Sequence, residues 1–183
     1  MPQPPPGLLR TIRAIDRFTE YSGKAVALLI FPLVFGLTWE AISRYLLNSP
    51  TFWAFDLSYM LYSAFFMLGA HFALLRGAHI RTDMLWEKFS DRTKGLIDAS
   101  AYVFFVFPGM ILLFYASVDE AWASFVMWER SEQTAWRPII WPFKGLVPLT
   151  AVLILIQAVS ELLKSLYAAR TGTMLSKREG VEI

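Results

Sequence analysis

Cysteine is absent from the chain, which excludes disulfides, thiolate metal sites and cysteine nucleophiles. Histidine is nearly absent. Both copies, His71 and His79, lie in FFMLGAHFALLRGAHIRTDML (65–85), each preceded by Gly-Ala. On one helix, that spacing puts them about 12 Å apart along the axis and about 80° apart around it. One metal ion cannot be held by both unless the helix breaks between them, and bis-histidine haem needs a histidine on a second helix. No metal and no other cofactor are expected. Charge is scarce as well, at 17% of residues against 56% hydrophobic, a balance too apolar for an ordinary soluble domain of this size. No nucleotide-binding loop, catalytic triad or paired-carboxylate constellation occurs in the sequence, so neither enzyme activity nor a nucleic-acid partner is expected.

What is present is a series of long apolar runs between bunched charges. Lys24 to Glu40 encloses 15 uncharged residues, Asp56 to Arg76 encloses 19, Asp98 to Asp119 encloses 20 and Lys144 to Glu161 encloses 16. A helix crosses a bilayer in roughly 17–25 residues. The middle two runs suffice outright; the outer two suffice if Glu40 and Glu161 sit at the membrane boundary. The expected fold is an all-α integral membrane protein with four transmembrane helices, over 24–47, 54–76, 97–119 and 143–167. The first run is too long for the apolar core of a secretory signal and lacks a small-residue cleavage site, so it is expected to remain as a helix.

Ahead of it, LLRTIRAIDRFTEYSG (8–23) places Leu8, Leu9, Ile12, Ile15 and Phe18 at helical spacing, with Arg10, Arg13, Asp16 and Arg17 on the other side. An amphipathic helix over 8–22 lying along the membrane surface is expected; a solvated extension of the first span is the alternative. A second interfacial helix is expected over 80–94, where Ile80, Met84, Leu85 and Phe89 share a face and Thr82 can cap. Residues 170–183 form a polar tail.

Basic residues set the orientation. Arg10, Arg13, Arg17 and Lys24 flank the first span; Arg76, Arg81, Lys88, Arg92 and Lys94 lie between the second and third; Lys164, Arg170, Lys177 and Arg178 follow the fourth. These are thirteen of the 17. Only Arg44, Arg130, Arg137 and Lys144 fall on the opposite side. Both termini are therefore expected in the cytoplasm. The external segment 119–144 contains Trp122, Trp128, Trp136 and Trp141, four of the seven tryptophans. Such residues form an aromatic belt at the headgroup level, and they also suit a protein-docking surface.

Charge inside a span is expensive, at roughly 2.5–3.5 kcal/mol per residue at the helix centre on insertion scales. Glu40 and Arg44 are four apart with the acid first, the favourable order for a helical ion pair, and Asp56 suits the positive end of the second span. A mutual pair near the outer interface is expected; an ion pathway is the alternative. The third and fourth spans carry only Pro108-Gly109, Thr150 and Gln157 as interruptions, so nothing in the chain looks able to bind and carry a polar solute alone. Gly69, Ala70 and Ala73 are small residues on neighbouring turns, where another helix can approach closely, in this chain or in a partner.

TWEAISRYLLNSPTFWAFDLSYMLYSAFFMLGAHFALLRGAHIRTDML (38–85) resembles the small membrane subunit, of DctQ type, of tripartite ATP-independent periplasmic (TRAP) transporters. The marks are Arg44-Tyr45 near the end of the first span, then Trp53-Ala54 followed by Asp56, where Glu is commoner. Leu68-Gly69-Ala70 follows, then Arg76, Gly77, His79, Ile80, Arg81 and Asp83. WRPIIWPFKGLVP (136–148) resembles the start of the family's fourth helix. The resemblance implies a non-catalytic subunit of the bacterial inner membrane, for ion-coupled uptake of a solute, often an organic acid. A large membrane subunit carries the transport sites, and a periplasmic substrate-binding protein delivers the solute. The residues it points to as partner-facing are Arg44, Tyr45, Trp53, Asp56, Gly69, Ala70, Ala73, Arg76, His79, Asp83 and Trp136. The reading from another class is a free-standing four-helix channel or small exporter. A haem-carrying electron-transfer subunit fails for want of ligands.

Overall fold

The computed structural model describes residues 4–77 and 89–175. Six α-helices appear among them: α1 (Pro6–Ala27), α2 (Ile30–Tyr45), α3 (Ala54–Leu75), α4 (Asp91–Ala101), α5 (Phe107–Val126) and α6 (Trp141–Thr171). Four helical runs are long and apolar enough to cross a membrane: Pro6–Tyr45, Ala54–Leu75, Asp91–Val126 and Trp141–Thr171. The all-α, four-span architecture is the expected one.

Three of the helical runs reach beyond the spans expected from the sequence. α1 and α2 form nearly one 40-residue run, about 60 Å long at 1.5 Å per residue and twice a hydrocarbon core of about 30 Å. Pro32 has no N–H for the Leu28 carbonyl. The Phe31 amide serves that oxygen at 3.2 Å instead, so the helix tightens at Leu28-Leu29 without leaving the right-handed region. The third helical run, Asp91–Val126, starts before and ends after the expected span. Ser90 caps α4 by accepting from the Thr93 amide at 3.3 Å. A π-helical turn, Tyr102–Val106, joins α4 to α5. It widens the helix just before Pro108, whose missing N–H would otherwise leave a carbonyl one turn back without a donor. α6 carries Pro148 internally and stops at Gly172, whose positive φ of 69° lets its amide reach the Ala168 carbonyl at 2.8 Å. Most of the expected interfacial helix over 80–94 lies outside the described residues, and 91–94 belong to α4.

α6 is the central element. Of its most apolar stretch 39% is buried, against 6–11% for the other three runs. Its inward face is small or polar: Ala151, Ala158, Ala168 and Ala169, with Thr150, Gln157, Ser160, Glu161 and Ser165. Small residues let backbones approach in hydrocarbon, where apolar burial gives no drive for helices to associate. A close approach of backbone to backbone is at Gly95 of α4. A Cβ there would sit 2.6 Å from both the Ala169 amide nitrogen and the Ser165 carbonyl oxygen. A second notch is Gly23 of α1, which takes the Phe72 ring of α3. The larger core side chains gather around Leu74, Tyr102 and Ala158, with Val106, Phe107, Ile154 and Leu162 packed against them. α2, the π-helical turn and α5 turn large apolar groups outward, among them Phe31, Phe35, Phe104, Phe105 and Leu112.

α1 is amphipathic, but it does not lie free on a surface by its apolar face. Ile12, Thr19 and Gly23 are buried against the bundle, and Leu8, Leu9 and Ile15 are half-buried, whereas Phe18 is exposed. The polar side assigned to Asp16 is also corrected: its carboxylate reaches α6.

Candidate functional site

Polar side chains gather in two regions. At the end carrying the α2–α3 and α5–α6 connections, Arg44 and Glu40 form the expected pair, at 2.5 Å. The second oxygen of Glu40 accepts from the Thr51 amide at 3.0 Å and from the Thr51 hydroxyl, which ties the α2–α3 turn back to α2. These residues rim a cleft of about 430 Å³ between α2 and α3, whose floor is Leu33, Leu37, Phe55, Tyr59 and Tyr62. Asp56, in the first turn of α3, is buried and accepts hydrogen bonds from Ser131, at 2.8 Å, and from Thr134. It is therefore an internal tether for the α5–α6 loop.

That loop is short and folded. Arg130 and Ile139 form an antiparallel bridge, the Ser131 amide reaches the Pro138 carbonyl at 2.8 Å, and Trp128 and Arg137 take positive φ to make the turns. Lys144, at the start of α6, pairs with Glu129 at 2.9 Å and with Glu120 at 3.0 Å. Its hydrogen bonds hold the Glu129 carboxylate below the usual carboxylate range. Trp122, Trp128 and Trp136 are exposed along this end, and Trp141 meets Phe125 edge-on at 5.0 Å between centroids.

The second region joins α1 to α6 at the other end. Thr19 donates to the Gln157 carbonyl oxygen at 2.7 Å, and Gln157 donates to Asp16 and to Glu161, each at 3.2 Å. Ser160 donates to Asp16 at 2.7 Å. Lys164 bridges the two acids, at 2.7 Å to Asp16 and 2.8 Å to Glu161. Thr19, Gln157, Ser160 and Glu161 are fully buried. Beside this network Ser22 meets His71 Nε2 at 2.7 Å, so the buried histidine links α3 to α1. No group of three or more His, Cys, Asp or Glu able to hold a metal ion occurs among the described residues.

The candidate partner-facing residues do not form one site. Tyr45 and Arg44 are exposed at the end of α2; Trp53, half-buried, precedes α3; Trp136 is exposed on the α5–α6 loop. Arg76 sits at the opposite end, 5.2 Å over the Phe72 ring and 3.8 Å from Glu20. His79 and Asp83 lie outside the described residues. Asp56 faces inward. Gly69, Ala70 and Ala73 are half-buried, and a Cβ at Gly69 would meet nothing within 4 Å. Among the described glycines, the tight seams are at Gly23 and Gly95.

The α1–α6 network was missed in the sequence. A signal for it exists: Gln157, Ser160, Glu161 and Lys164 recur at helical spacing on one face of an apolar span, a pattern that demands an internal partner.

The fold and its polar clusters define a multi-pass membrane protein whose intramembrane polar groups are largely engaged with one another. The family described as tripartite ATP-independent periplasmic transporters, DctQ component, matches residues 33–168, and the chain belongs to that family. It is a small TRAP transporter component, of a family of transporter components rather than enzymes. No curated protein and no solved structure matches the chain.

Proposed function

We propose that the chain packs against the large TRAP membrane subunit and stabilises its scaffold, in ion-coupled uptake of a carboxylate-bearing solute delivered by a periplasmic binding protein. The observation that carries this reading is the open face at Gly69. A small-residue turn of α3 has no neighbour where a side chain would begin, and small residues in a span suit close approach by another helix. Arg44, Tyr45 and Trp53 would extend that contact along α2 and α3, and the exposed Trp136 would meet the binding protein. The inward commitment of Asp56, Glu161 and Lys164 supports a scaffold over a solute path.

Gly69→Leu tests this directly. The side chain enters open space in the isolated chain, so its own fold should tolerate the change. Co-purification with the large subunit in mild detergent should fall, and solute uptake with it. Intact assembly and uptake in Gly69→Leu, with uptake abolished but assembly unchanged in Arg44→Ala, would instead favour a direct role in ion or solute movement.

The proposed setting is the bacterial inner membrane with both termini in the cytoplasm, supported by the distribution of basic residues. Reporter fusions after Thr134 and after Arg170 should show opposite sidedness, the first periplasmic. Matching sidedness would overturn the four-span topology.

A further inference from the structure

Arg10, Arg13 and Arg17 lie at positions i, i+3 and i+7 of α1, all exposed, around a surface groove that also takes in Pro6 and Ala14. A basic amphipathic helix ordinarily holds a membrane by sinking its apolar face between lipids. In α1 much of that face is already taken, because Ile12 is buried, Leu8, Leu9 and Ile15 are half-buried, and Asp16 and Thr19 are bonded to α6. The helix cannot roll to insert it without breaking those bonds. Its acidic residues are engaged away from the arginines as well. Asp16 pairs with Lys164, and Glu20 pairs with Lys24 at 2.8 Å and Arg76 at 3.8 Å. Among the described residues, no carboxylate pairs with Arg10, Arg13 or Arg17. Arg13 uses only its Nε, on the Leu9 carbonyl at 3.1 Å. Three guanidinium groups, spread over about 10 Å of helix, therefore have no carboxylate partner among the described residues and present forks suited to phosphate oxygens.

We propose that this arginine face docks anionic phospholipid headgroups, and that it does so by charge rather than by insertion. The α1 helix runs almost unbroken into the membrane-crossing α2, which places the three arginines beside a bilayer surface. That placement needs neither the orientation nor the partner subunit proposed above. Near an anionic leaflet each arginine contributes roughly fivefold in affinity, and attraction of this kind weakens with salt.

The test is native mass spectrometry of the purified full-length chain, from micelles holding equal amounts of phosphatidylglycerol and phosphatidylcholine. Retention of phosphatidylglycerol over phosphatidylcholine by more than about tenfold is expected at low salt. It should fall towards parity for R10Q/R13Q/R17Q and survive largely in R10K/R13K/R17K, which keeps the charge. Raising salt from about 50 to about 500 mM should erode the preference of the unaltered chain, a readout independent of any variant. Equal retention of the two lipids by the unaltered chain would overturn the proposal. So would a preference that persists in the glutamine variant, or one abolished by equimolar inorganic phosphate, which would mark a site for free anions.

Discussion

Lys164→Ala is expected to lower the stability of the chain by about 3 kcal/mol, from the cost of breaking a buried ion pair by removing one partner. Lys164 contacts both Asp16 and Glu161, and its loss leaves two carboxylates close together. Their situations differ. The Asp16 side chain is 26% exposed and can recruit water, whereas the Glu161 side chain is 1% exposed and cannot. Glu161 is therefore the greater liability. Glu161→Gln combined with Lys164→Met should recover more than half of the loss, because an amide replaces the enclosed charge and the methionine refills the space of the lysine stem. The measurement is the thermal or denaturant unfolding midpoint in detergent, compared across the single and double variants. Equal loss in both would show that neither the enclosed Glu161 charge nor the lost lysine stem sets the effect.

Gly95→Ala is expected to destabilise the chain although alanine is the better helix former. Intrinsic propensity favours the change by about 1 kcal/mol. Against it, the new methyl would lie 2.6 Å from two backbone atoms of α6 and 3.0 Å from the Ala168 Cβ. Backbone atoms cannot rotate aside as a side chain can, so α4 and α6 must separate along their seam. Overpacking of this kind costs roughly 1–3 kcal/mol, and occasionally more. The net loss should be up to about 2 kcal/mol of unfolding free energy. Gly69→Ala on the isolated chain supplies the contrast: with nothing within 4 Å of the new methyl, only the propensity gain remains, and stability should rise. A rise at Gly95 as well would show that the α4–α6 seam is looser than the structure has it.

These two glycines mark the limit of sequence reading in this chain. Gly69 sits between Leu68 and Ala70 in a motif that draws the eye, and Gly95 sits in DRTKGLIDAS, which does not. Both satisfy the rule that small residues admit close helices. The rule does not say which glycine meets a helix of the same chain, because that depends on which faces of α4 and α6 are brought together.

Local physics settled the helices and their number. Uncharged runs of 15–20 residues have one economical solution in hydrocarbon, since a helix satisfies every backbone group within the segment. The Glu40–Arg44 pair was also legible, because partners four apart on one helix meet whatever the rest of the chain does. The ends of the helical runs were less so: charge marks where a bilayer stops, but a helix continues past that point until something breaks or caps it, as at Gly172.

Tertiary structure alone decided the rest. Asp56 looked like a helix-terminus carboxylate and became the tether of a loop 75 residues away. Asp16 looked solvated and became part of a buried network through a contact 144 residues away. The apolar face of α1 looked lipid-bound and was taken by the bundle. In water, hydrophobic periodicity separates inside from outside, because only the inside is apolar. In a membrane the lipid tails are as apolar as the core, so periodicity no longer shows which face of a helix another helix will cover.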